Sequence, residues 1–321
     1  MASKRVNFTS MHKALILAAG KGSRLYPITH HIAKPLLPIA NRMTMDYAFE
    51  KLNHIGITDI CVVVGENEPL VKSALGEKTS FGQSLYYARQ IDPKGLAHAV
   101  SFAKEFVGQD PFVLYLGDSI YSAEFTDLAD RFRRGGIANL NLVKEVEDPK
   151  RFGVANLDGN RILKLVEKPK IPESNWAMAG LYFFGPELWT VLPDLKPSAR
   201  GEYEITDAIQ LLINRGENVE AGKYTGVWFD TGTRESFLEA SRFLTNGRSL
   251  IATDSKVTGL LSDHVVVGSG AEVHCKSIEN SVILPGAKVL ASGVIRNSLI
   301  GGVSTDLTDI VDTILWDGKP A

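Results

Sequence analysis

Short apolar runs that end at a glycine or a glycine–aspartate pair recur in the first part of the sequence. They occupy residues 13–19 (KALILAA), 59–64 (DICVVV) and 112–116 (FVLYL). Runs of this length without polar alternation are typical of strands that are buried on both faces of a sheet. Helical spacing separates them, as in residues 43–55 and 96–107. This alternation predicts an α/β fold with a mainly parallel sheet and helices on both faces.

The pattern changes between residues 139 and 184. Four strand-like segments follow one another there, separated by turns at Asp148-Pro149, Asp158-Gly159-Asn160 and Lys168-Pro169. Residues of these types commonly end strands and form turns. After these strands, helical spacing returns at residues 205–214 and 235–244.

From residue 265 onward the sequence is periodic in sixes. One column is mainly aliphatic and contains Val265, Ala271, Ser277, Ile283, Val289 and Ile295. A second column, four residues further on, is mainly small and contains Ser269, Cys275, Ser281, Ala287, Gly293 and Leu299. Such columns predict a parallel β-helix, in which three six-residue sides close one coil and small residues fit the corners. The pattern covers about two coils; an ordinary run of short strands is the alternative.

Composition limits the class of protein. The chain has 321 residues, of which 44% are hydrophobic and 22% charged, so it can bury a sizeable core. The net charge of -2 argues against a protein that coats nucleic acid, although it leaves room for a local anion pocket. Only two cysteines are present, and their distance in sequence excludes a disulfide scaffold and a cysteine zinc framework.

We expect three parts: an N-terminal extension at 1–12, a catalytic domain at 13–248 and the periodic tail at 249–321. The first residues are polar and lack the apolar run of a signal peptide. No apolar window approaches the ~18 residues of a membrane span. A cytoplasmic protein without a membrane partner is therefore expected.

The segment LAAGKGSRLYP at residues 17–27, with KPLLPI at 34–39, carries the strongest chemical signal. Small residues after a buried strand let backbone N–H groups approach phosphate oxygens, and Arg24 and Lys34 can neutralise a polyphosphate. The segment is not a Walker A loop, and it lacks the third glycine of a dinucleotide fingerprint. A tight turn is the alternative, but the two cations favour phosphate binding.

Two aspartates follow apolar strands, Asp118 in LGD and Asp230 in WFDTGT. Open α/β sheets bind ligands at the carboxyl ends of their strands. Mg²⁺ takes one or two carboxylates and completes its shell with phosphates and water, so each aspartate is a candidate ligand. A turn or helix-cap aspartate is the alternative, and sequence spacing alone does not bring the two together.

Two further polar positions close strands. Gln90 lies just before the turn Pro93-Lys94-Gly95, and its amide can pair with the imide edge of uracil or thymine. Glu167 and Lys168 close another strand, where the carboxylate can accept sugar hydroxyls and the amine can bind a phosphate. Viewed locally, a strand-end glutamine and a solvated turn pair are the simpler interpretations.

Taken together, these segments resemble the sugar-1-phosphate nucleotidylyltransferases, and within them most closely the glucose-1-phosphate thymidylyltransferases. The resemblance spans residues 13 to about 244. The matching stretches are LAAGKGSRLYP, KPLLPI, DPKGLAHA, YLGDSIY, RFGVANLDGNRILKLVEKP, AMAGLYFF, LKPSARGEYEITDAI and WFDTGT. The glycine-loop and GD motifs are shared by the whole superfamily, whereas SARGEYEITDAI and NWAMAGLYFF point to the thymidylyl branch.

The resemblance implies a role for each matching position. The triphosphate would be held by Leu17, Ala18, Ala19, Gly20, Gly22, Ser23, Arg24 and Lys34. The base would be read by Gln90, Gly95 and Leu96. The sugar phosphate would be bound by Leu116, Gly117, Phe152, Gly153, Glu167, Lys168, Met178 and Gly180. Mg²⁺ would be held by Asp118 and Asp230. The catalytic set would be Arg24, Lys34, Asp118, Lys168 and Asp230.

The implied fold is a Rossmann-like sheet flanked by helices, of the nucleotide-diphospho-sugar transferase type, with a short C-terminal left-handed parallel β-helix. In the implied reaction a sugar 1-phosphate attacks the α-phosphorus of a nucleoside triphosphate in line, and pyrophosphate leaves. Such catalysis needs positioning and charge neutralisation and no protein nucleophile. The tail, which carries no assigned chemistry, is expected to pack on the catalytic domain or to form a homo-oligomer.

Two positions depart from the thymidylyl pattern. Ala19 stands where glycine is usual, and Pro35 stands where glutamine is usual. LAAGKG is more similar to uridylyl enzymes that act on N-acetylglucosamine 1-phosphate. We therefore expect dTTP and glucose 1-phosphate as substrates, with UTP as the alternative. A non-catalytic relative is a further alternative, against which the five intact catalytic positions argue.

Overall fold

The computed structural model describes residues 11–320, so most of the predicted N-terminal extension lies outside the described part. None of the helices in this range is both long enough and apolar enough to cross a membrane. The described chain folds into two compact units. The first contains residues 11–20 and 47–228, and the second contains residues 21–46 and 229–320.

The strands before the tail are short, and most coincide with the predicted apolar runs. They are β1 (Lys13–Leu17), β2 (Pro38–Ile39), β3 (Arg42–Met43), β4 (Asp59–Val64), β5 (Ser84–Arg89), β6 (Phe112–Leu116), β7 (Ser119–Tyr121), β8 (Asn139–Glu145), β9 (Gly153–Asp158), β10 (Arg161–Glu167), β11 (Trp176–Phe184), β12 (Val219–Lys223) and β13 (Trp228–Asp230).

The helices include two that the sequence did not predict, α5 and α6. They are α1 (Thr44–His54), α2 (Glu68–Leu75), α3 (Leu96–Ser101), α4 (Lys104–Val107), α5 (Thr126–Arg133), α6 (Leu188–Val191), α7 (Ile205–Asn214) and α8 (Arg234–Leu244). The single helix predicted over 96–107 is wrong. It breaks after Ser101, where Phe102 and Ala103 donate to carbonyls only three residues back.

The first unit is built on a nine-stranded sheet in the order β5-β4-β1-β6-β11-β8-β12-β10-β9. β5, β4, β1 and β6 are parallel, as predicted. β11 is antiparallel to β6 and β8, and β10 is antiparallel to β9 and β12. β9 and β10 are antiparallel because the short turn at Asp158-Gly159-Asn160 leaves no room for the crossover that parallel strands require.

Apolar side chains from both faces of this sheet form its core. Phe112 stacks on Phe184 with ring centroids 5.6 Å apart and on Trp189 at 5.7 Å. Leu15, Leu114 and the two phenylalanines are all fully buried. This core anchors β1 and β6, and several predicted site residues follow these two strands in the chain.

The tail is a stack of short parallel strands. They are β14 (Leu250–Ile251), β15 (Lys256–Leu261), β16 (Val265–Val267), β17 (Glu272–Glu279), β18 (Ser281–Ile283), β19 (Lys288–Ala291), β20 (Val294–Arg296), β21 (Leu299–Gly301), β22 (Val303–Leu307), β23 (Ile310–Val311), β24 (Ile314–Trp316) and β25 (Lys319–Pro320). β14, β16, β18, β21 and β24 form one parallel face, and β25 closes it as an antiparallel strand.

The β-helix is longer, and its coils are shorter, than the six-residue pattern predicted. The register pairs Leu250 with Val266, Val266 with Val282, Val282 with Leu299, and Leu299 with Ile314. One coil therefore takes 15 to 17 residues, and the stack covers four coil steps instead of two. The coils are shorter because left-handed residues make tight corners, for example Asn280 with φ 37° and Asn297 with φ 47°. The left-handed sense of the β-helix stays a prediction.

The second unit joins the tail to a segment from the start of the chain. The side-chain amide of Asn41 donates to the carbonyl of Val267 over 3.0 Å, and α8 is linked to the tail by Arg242, which donates to Asp263 over 3.0 Å. A compact unit can thus combine segments that are distant in sequence, and the predicted domain boundaries at residues 12 and 248 stay a prediction.

Candidate active site

The ends of three neighbouring strands lie side by side in the first unit. The amide of Gly117, after β6, donates to the carbonyl of Leu17 over 3.1 Å, and the amide of Ala18 donates to a carbonyl of β4. A Cβ on Gly117 would lie 2.9 Å from the Leu17 carbonyl oxygen, and one on Gly65 would lie 3.0 Å from that of Ala19. These positions exclude side chains, so backbone groups line the sheet edge.

Gly20 follows this edge and differs from the chain's other described glycines. A Cβ at Gly20 would meet no other atom within 4 Å, and its φ lies outside the left-handed region. Among the glycines whose surroundings the structure describes, each of the others has a positive φ or a close neighbour. Gly20 is exposed, and no internal contact in the described chain requires glycine at this position.

Gly22 packs closely against other residues of the second unit. It adopts φ +64°, and a Cβ there would lie 2.9 Å from the methyl group of Thr29 and 3.2 Å from Cβ of Lys34. Thr29 also donates its hydroxyl to the carbonyl of Gly22 over 2.9 Å. Short 3₁₀ helices follow at Ser23–Leu25 and Lys34–Leu36. The structure thus brings Gly22 and Lys34 together within the second unit.

Arg24 and Asp230 meet around Gly232. A Cβ on Gly232 would lie 2.6 Å from Nη2 of Arg24 and 2.9 Å from Oδ1 of Asp230. α8 begins just beyond, where Thr233 and Ser236 form a reciprocal capping box. A predicted phosphate-binding cation and a predicted metal ligand therefore lie within a few ångströms of each other in the second unit.

Gln90 and Gly95 are also brought together. Nε2 of Gln90 donates to the carbonyl of Gly95 over 3.3 Å and lies 3.1 Å from Nδ1 of His98. Gly95 adopts φ +103°, and its Cβ would lie 2.6 Å from the carbonyl oxygen of Tyr203. Leu96 then begins α3. Glycine is required here for backbone contact within the protein, a reason that sequence reasoning missed.

Asp118 follows β6, and Gly180 in β11 packs against the end of β6. A Cβ on Gly180, which has φ +80°, would lie 2.9 Å from Oγ of Ser119 and 3.1 Å from Cδ1 of Leu116. Burial raises the pKa of Tyr121 well above its usual value, and the negative charge of Asp118 contributes to that shift. Asp118 itself is partly buried.

Glu167 has three polar neighbours. The hydroxyl of Thr206 donates to Oε2 of Glu167 over 3.0 Å, and Nζ of Lys168 and Nη2 of Arg200 each lie 3.4 Å from Oε1. Burial raises the pKa of the Glu167 carboxyl, and the charge of Lys168 opposes that shift. A largely desolvated carboxylate therefore lies beside two cations.

The other predicted sugar-phosphate residues border this cluster. A Cβ on Gly153 would lie 2.5 Å from Thr206, 3.1 Å from Met178 and 3.3 Å from Oε2 of Glu167. The amide of Lys168 donates to the carbonyl of Phe152 over 3.0 Å, and Lys168 adopts φ 42°. Glycine is required at position 153 because Thr206, Met178 and Glu167 occupy the place that a side chain would take.

Arg200 and Thr206 were not among the predicted site residues. Arg200 donates to Oε1 of Glu204 over 2.8 Å, and Glu204 is only 3% exposed. Ser198 donates to the same oxygen over 2.8 Å. All four residues lie in the stretch SARGEYEITDAI, so the signal was present in the sequence, but only pairing in space assigns Arg200 and Thr206 to Glu167.

Asp118 belongs to the first unit and Asp230 to the second. Within residues 11–320 no three His, Cys, Asp or Glu side chains are grouped as a metal cage. Mg²⁺ does not need such a cage, because one or two carboxylates and substrate phosphates suffice. Hard carboxylate oxygens at the ends of strands fit this type of ion.

The sequence is similar to those of known nucleotidyltransferases. The family model described as "Nucleotidyl transferase" matches residues 13–247. The low-salt glycan biosynthesis nucleotidyltransferase Agl11 of Haloferax volcanii is 39% identical, over 90% of this chain and 92% of its own. A glucose-1-phosphate thymidylyltransferase of Streptomyces antibioticus is 40% identical, over 90% and 81%.

Solved structures show the same fold. A Bacillus anthracis protein assigned as a glucose-1-phosphate thymidylyltransferase, in complex with sucrose, is 38% identical with a TM-score of 0.68. The match covers 72% of this chain and 94% of that one. A UDP-glucose pyrophosphorylase complexed with UDP-glucose is 27% identical, also with a TM-score of 0.68, over 74% and 99%.

An α/β sheet with a glycine loop after its first strand and charged side chains at its strand ends is typical of nucleotide-binding proteins. The chain belongs to the nucleotidyl transferase family. The predicted resemblance is thereby confirmed, and the enzyme is a nucleotidyltransferase.

Proposed function

We propose that the protein transfers a thymidylyl group from dTTP to glucose 1-phosphate, releasing pyrophosphate and requiring Mg²⁺. Support comes from the glucose-1-phosphate thymidylyltransferase of Streptomyces antibioticus, which matches 90% of this chain. The coarser activity, nucleotidyl transfer to a sugar 1-phosphate, is common to the thymidylyltransferases and the UDP-glucose pyrophosphorylase that the chain is similar to.

The cluster around Glu167 is the single observation that carries this proposal. A carboxylate with Gly153 beside it can accept hydrogen bonds from sugar hydroxyls, and Lys168 lies 3.4 Å from that carboxylate. The amine can bind the phosphate of the same molecule. A carboxylate and a cation this close match a ligand that carries hydroxyls and a phosphate on one ring.

Gly20 supports the nucleotide part of the proposal. The space beside it is open, although no internal contact requires glycine. A phosphate oxygen that approaches the backbone at Gly20 would be excluded by a side chain. Arg24 and Lys34 follow in the same loop segment, and we propose that they neutralise the triphosphate.

The proposed chemistry is an in-line displacement at the α-phosphorus. The phosphate oxygen of the sugar 1-phosphate forms the new P–O bond, the bond to the β-phosphate oxygen breaks, and pyrophosphate leaves. Lys168 orients the attacking phosphate, and Arg24 neutralises the leaving pyrophosphate. Bound Mg²⁺ would withdraw charge from the phosphates, and Asp118 and Asp230 are its proposed ligands.

UTP is the second candidate donor. Ala19 departs from the thymidylyl pattern, and a UDP-glucose pyrophosphorylase shares the fold at 27% identity. Gln90, the proposed base reader, can pair with the imide edge of thymine and of uracil alike. A homo-oligomer and a cytoplasmic location stay predictions.

One assay tests the function. Purified protein is incubated with Mg²⁺, each of five nucleoside triphosphates (dTTP, UTP, ATP, GTP and CTP) and a panel of sugar 1-phosphates, and pyrophosphate release is measured. We expect the highest kcat/KM with dTTP and glucose 1-phosphate, with UTP second. A preference for a purine triphosphate would overturn the role of Gln90. No pyrophosphate with any pair would favour the non-catalytic alternative.

A further inference from the structure

We propose that Trp316, in the last coil of the β-helix, positions residues 22–41, here called the glycine-loop segment. Trp316 thereby sets the affinity for the nucleoside triphosphate. The tail then has a role in substrate binding although it contains none of the proposed catalytic residues. This inference rests on the proposed function only for its kinetic readout.

The first observation is a stacked ring pair. The indole of Trp316 lies on the imidazole of His31 with centroids 4.4 Å apart and planes 6° from parallel. His31 lies between Arg24 and Lys34 in sequence, and its amide donates to the carbonyl of Ile28 over 2.9 Å. The stacked ring thus belongs to the same short segment as both proposed phosphate-binding cations.

The second observation is that the indole of Trp316 fills the space beside Gly301. Gly301 is the register partner of Trp316 on β21, and a Cβ there would lie 2.5 Å from Cε3 and Cζ3 of the indole. The φ of Gly301 is not in the left-handed region. Glycine is required at this position because the indole ring occupies the place of its side chain.

The third observation is a second attachment of the same segment. The side-chain amide of Asn41 donates over 3.0 Å to the carbonyl of Val267, in the same parallel face of the β-helix as Trp316. Between these attachments and Arg24 the segment buries Leu25, Ile28, Leu37 and Ile39. The β-helix therefore holds both sides of the stretch that contains Lys34.

These contacts give the tail a positioning role. Cations that are held in place before the ligand binds give a higher affinity for phosphate, because less conformational entropy is lost on binding. An aromatic pair of this geometry stabilises its arrangement modestly, which corresponds to an effect of about 3- to 10-fold on binding.

The experiment compares steady-state kinetics of four variants with wild type. Trp316→Ala removes the indole, and His31→Ala removes its partner. Gly301→Ala displaces the indole while both aromatic residues are kept. Trp316→Phe keeps an aromatic surface. Leu290→Ala is the matched control, because Leu290 is a 43% exposed residue on the other sheet of the β-helix.

We expect a ~3- to 10-fold rise in KM for the triphosphate in the three disruptive variants, with KM for the sugar 1-phosphate and kcat within about twofold of wild type. Trp316→Phe should restore most of the affinity, and Leu290→Ala should behave as wild type. An unchanged triphosphate KM in a folded Trp316→Ala protein would overturn the inference, as would equal rises for both substrates. If Trp316→Ala does not fold, His31→Ala and Gly301→Ala decide the matter by the same criteria.

Hydrogen–deuterium exchange separates this inference from the proposed function. Amides in residues 22–37 should exchange faster in Trp316→Ala than in wild type, and those in residues 265–284 should not. This readout needs no activity, so an inactive wild type with faster exchange in the variant would refute only the proposed function. Unchanged exchange in residues 22–37 would refute the positioning role even in an active enzyme.

Discussion

Thr206, in the first turn of α7, donates its hydroxyl to Oε2 of Glu167 at the end of β10, over 3.0 Å. The bond joins a helix to a strand that lies far earlier in the chain. It holds a largely desolvated carboxylate in the position where we propose that the sugar binds. The protonation of this carboxyl can be tested by mutation.

Glu167→Gln tests the burial of this carboxyl. Because burial raises the pKa of Glu167 above its ordinary value of 4.5, the unfolded chain releases this proton at lower pH than the folded one. Wild type therefore loses stability as the pH rises from the pKa of Glu167 in the unfolded chain to its higher pKa in the folded protein. The variant has no carboxyl at this position and does not lose stability in this way. We expect the melting temperature of Glu167→Gln relative to wild type to increase from about pH 4 to about pH 7.

The matched control is Glu173→Gln. Hydrogen bonds from Lys164 and Asn156 lower the pKa of Glu173, so its variant should lose relative stability as the pH rises. Glu167→Gln should also raise KM for the sugar 1-phosphate by ~10-fold or more, because a charge-assisted hydrogen bond is lost. A relative melting temperature that falls with pH would show that Glu167 is stabilised as a carboxylate.

Gly232→Ala tests the placement of Arg24. The new methyl group would lie 2.6 Å from Nη2 of Arg24, so the end of this flexible side chain must move. We expect a melting temperature within about 3 °C of wild type and a ~10-fold fall in kcat/KM. In an Arg24→Ala background the same change should have a smaller further effect, which acts through Oδ1 of Asp230, 2.9 Å from the new methyl group. Full additivity of the two changes would show that the substitution at Gly232 does not act through Arg24.

Asp118→Asn and Asp230→Asn test the proposed metal ligands. Each change keeps the size of the side chain and removes its charge, so the protein should fold while Mg²⁺ binds poorly. We expect turnover to fall at least ~100-fold in each variant, as on loss of a major electrostatic stabiliser. Asp127→Asn, on the exposed surface of α5, is the control. Near-normal turnover in either variant would remove that residue from the metal site.

Asn297→Ala tests the polar ladder along one corner of the β-helix. Asn280 donates to Asn297 over 2.8 Å, and Asn297 donates to Asp312 over 2.9 Å. All three residues have positive φ. Loss of both bonds and strain on an alanine at φ 47° should destabilise the protein by about 2 kcal/mol in urea unfolding.

Asn297→Gly is the comparison for this prediction. Glycine tolerates the left-handed backbone, so this variant isolates the loss of the side-chain amide from the backbone strain. We expect it to lose less stability than Asn297→Ala. Equal losses would mean that the conformation at this corner contributes little and that the ladder bonds account for the effect.

Local features of the sequence were sufficient for much of the fold. The apolar runs at Asp59–Val64 and Phe112–Leu116 are strands with the predicted bounds, because their burial on both faces leaves a continuous hydrophobic signal. The glycine loop after β1 was also predicted from the sequence, and the grouping of Gly153, Glu167 and Met178 was implied by the family resemblance. The roles of these residues stay proposals.

The sequence pattern did not predict the number of residues in one coil of the β-helix. An alignment in sixes gives about eighteen residues per coil, but the observed register uses 15 to 17. The difference arises because left-handed corners replace part of each side, and corner geometry depends on the coils above and below. For the same reason the pattern showed two coils where the structure has four steps.

The sequence by itself determined the strands, the family motifs and the residue types that can handle phosphate and sugar. Only the tertiary structure decided that His31 lies on Trp316 and that Arg200 and Thr206 surround Glu167. These pairings join segments that are distant in the chain. They form because burial and packing select partners by position in space, and periodicity along the chain carries no information about that position.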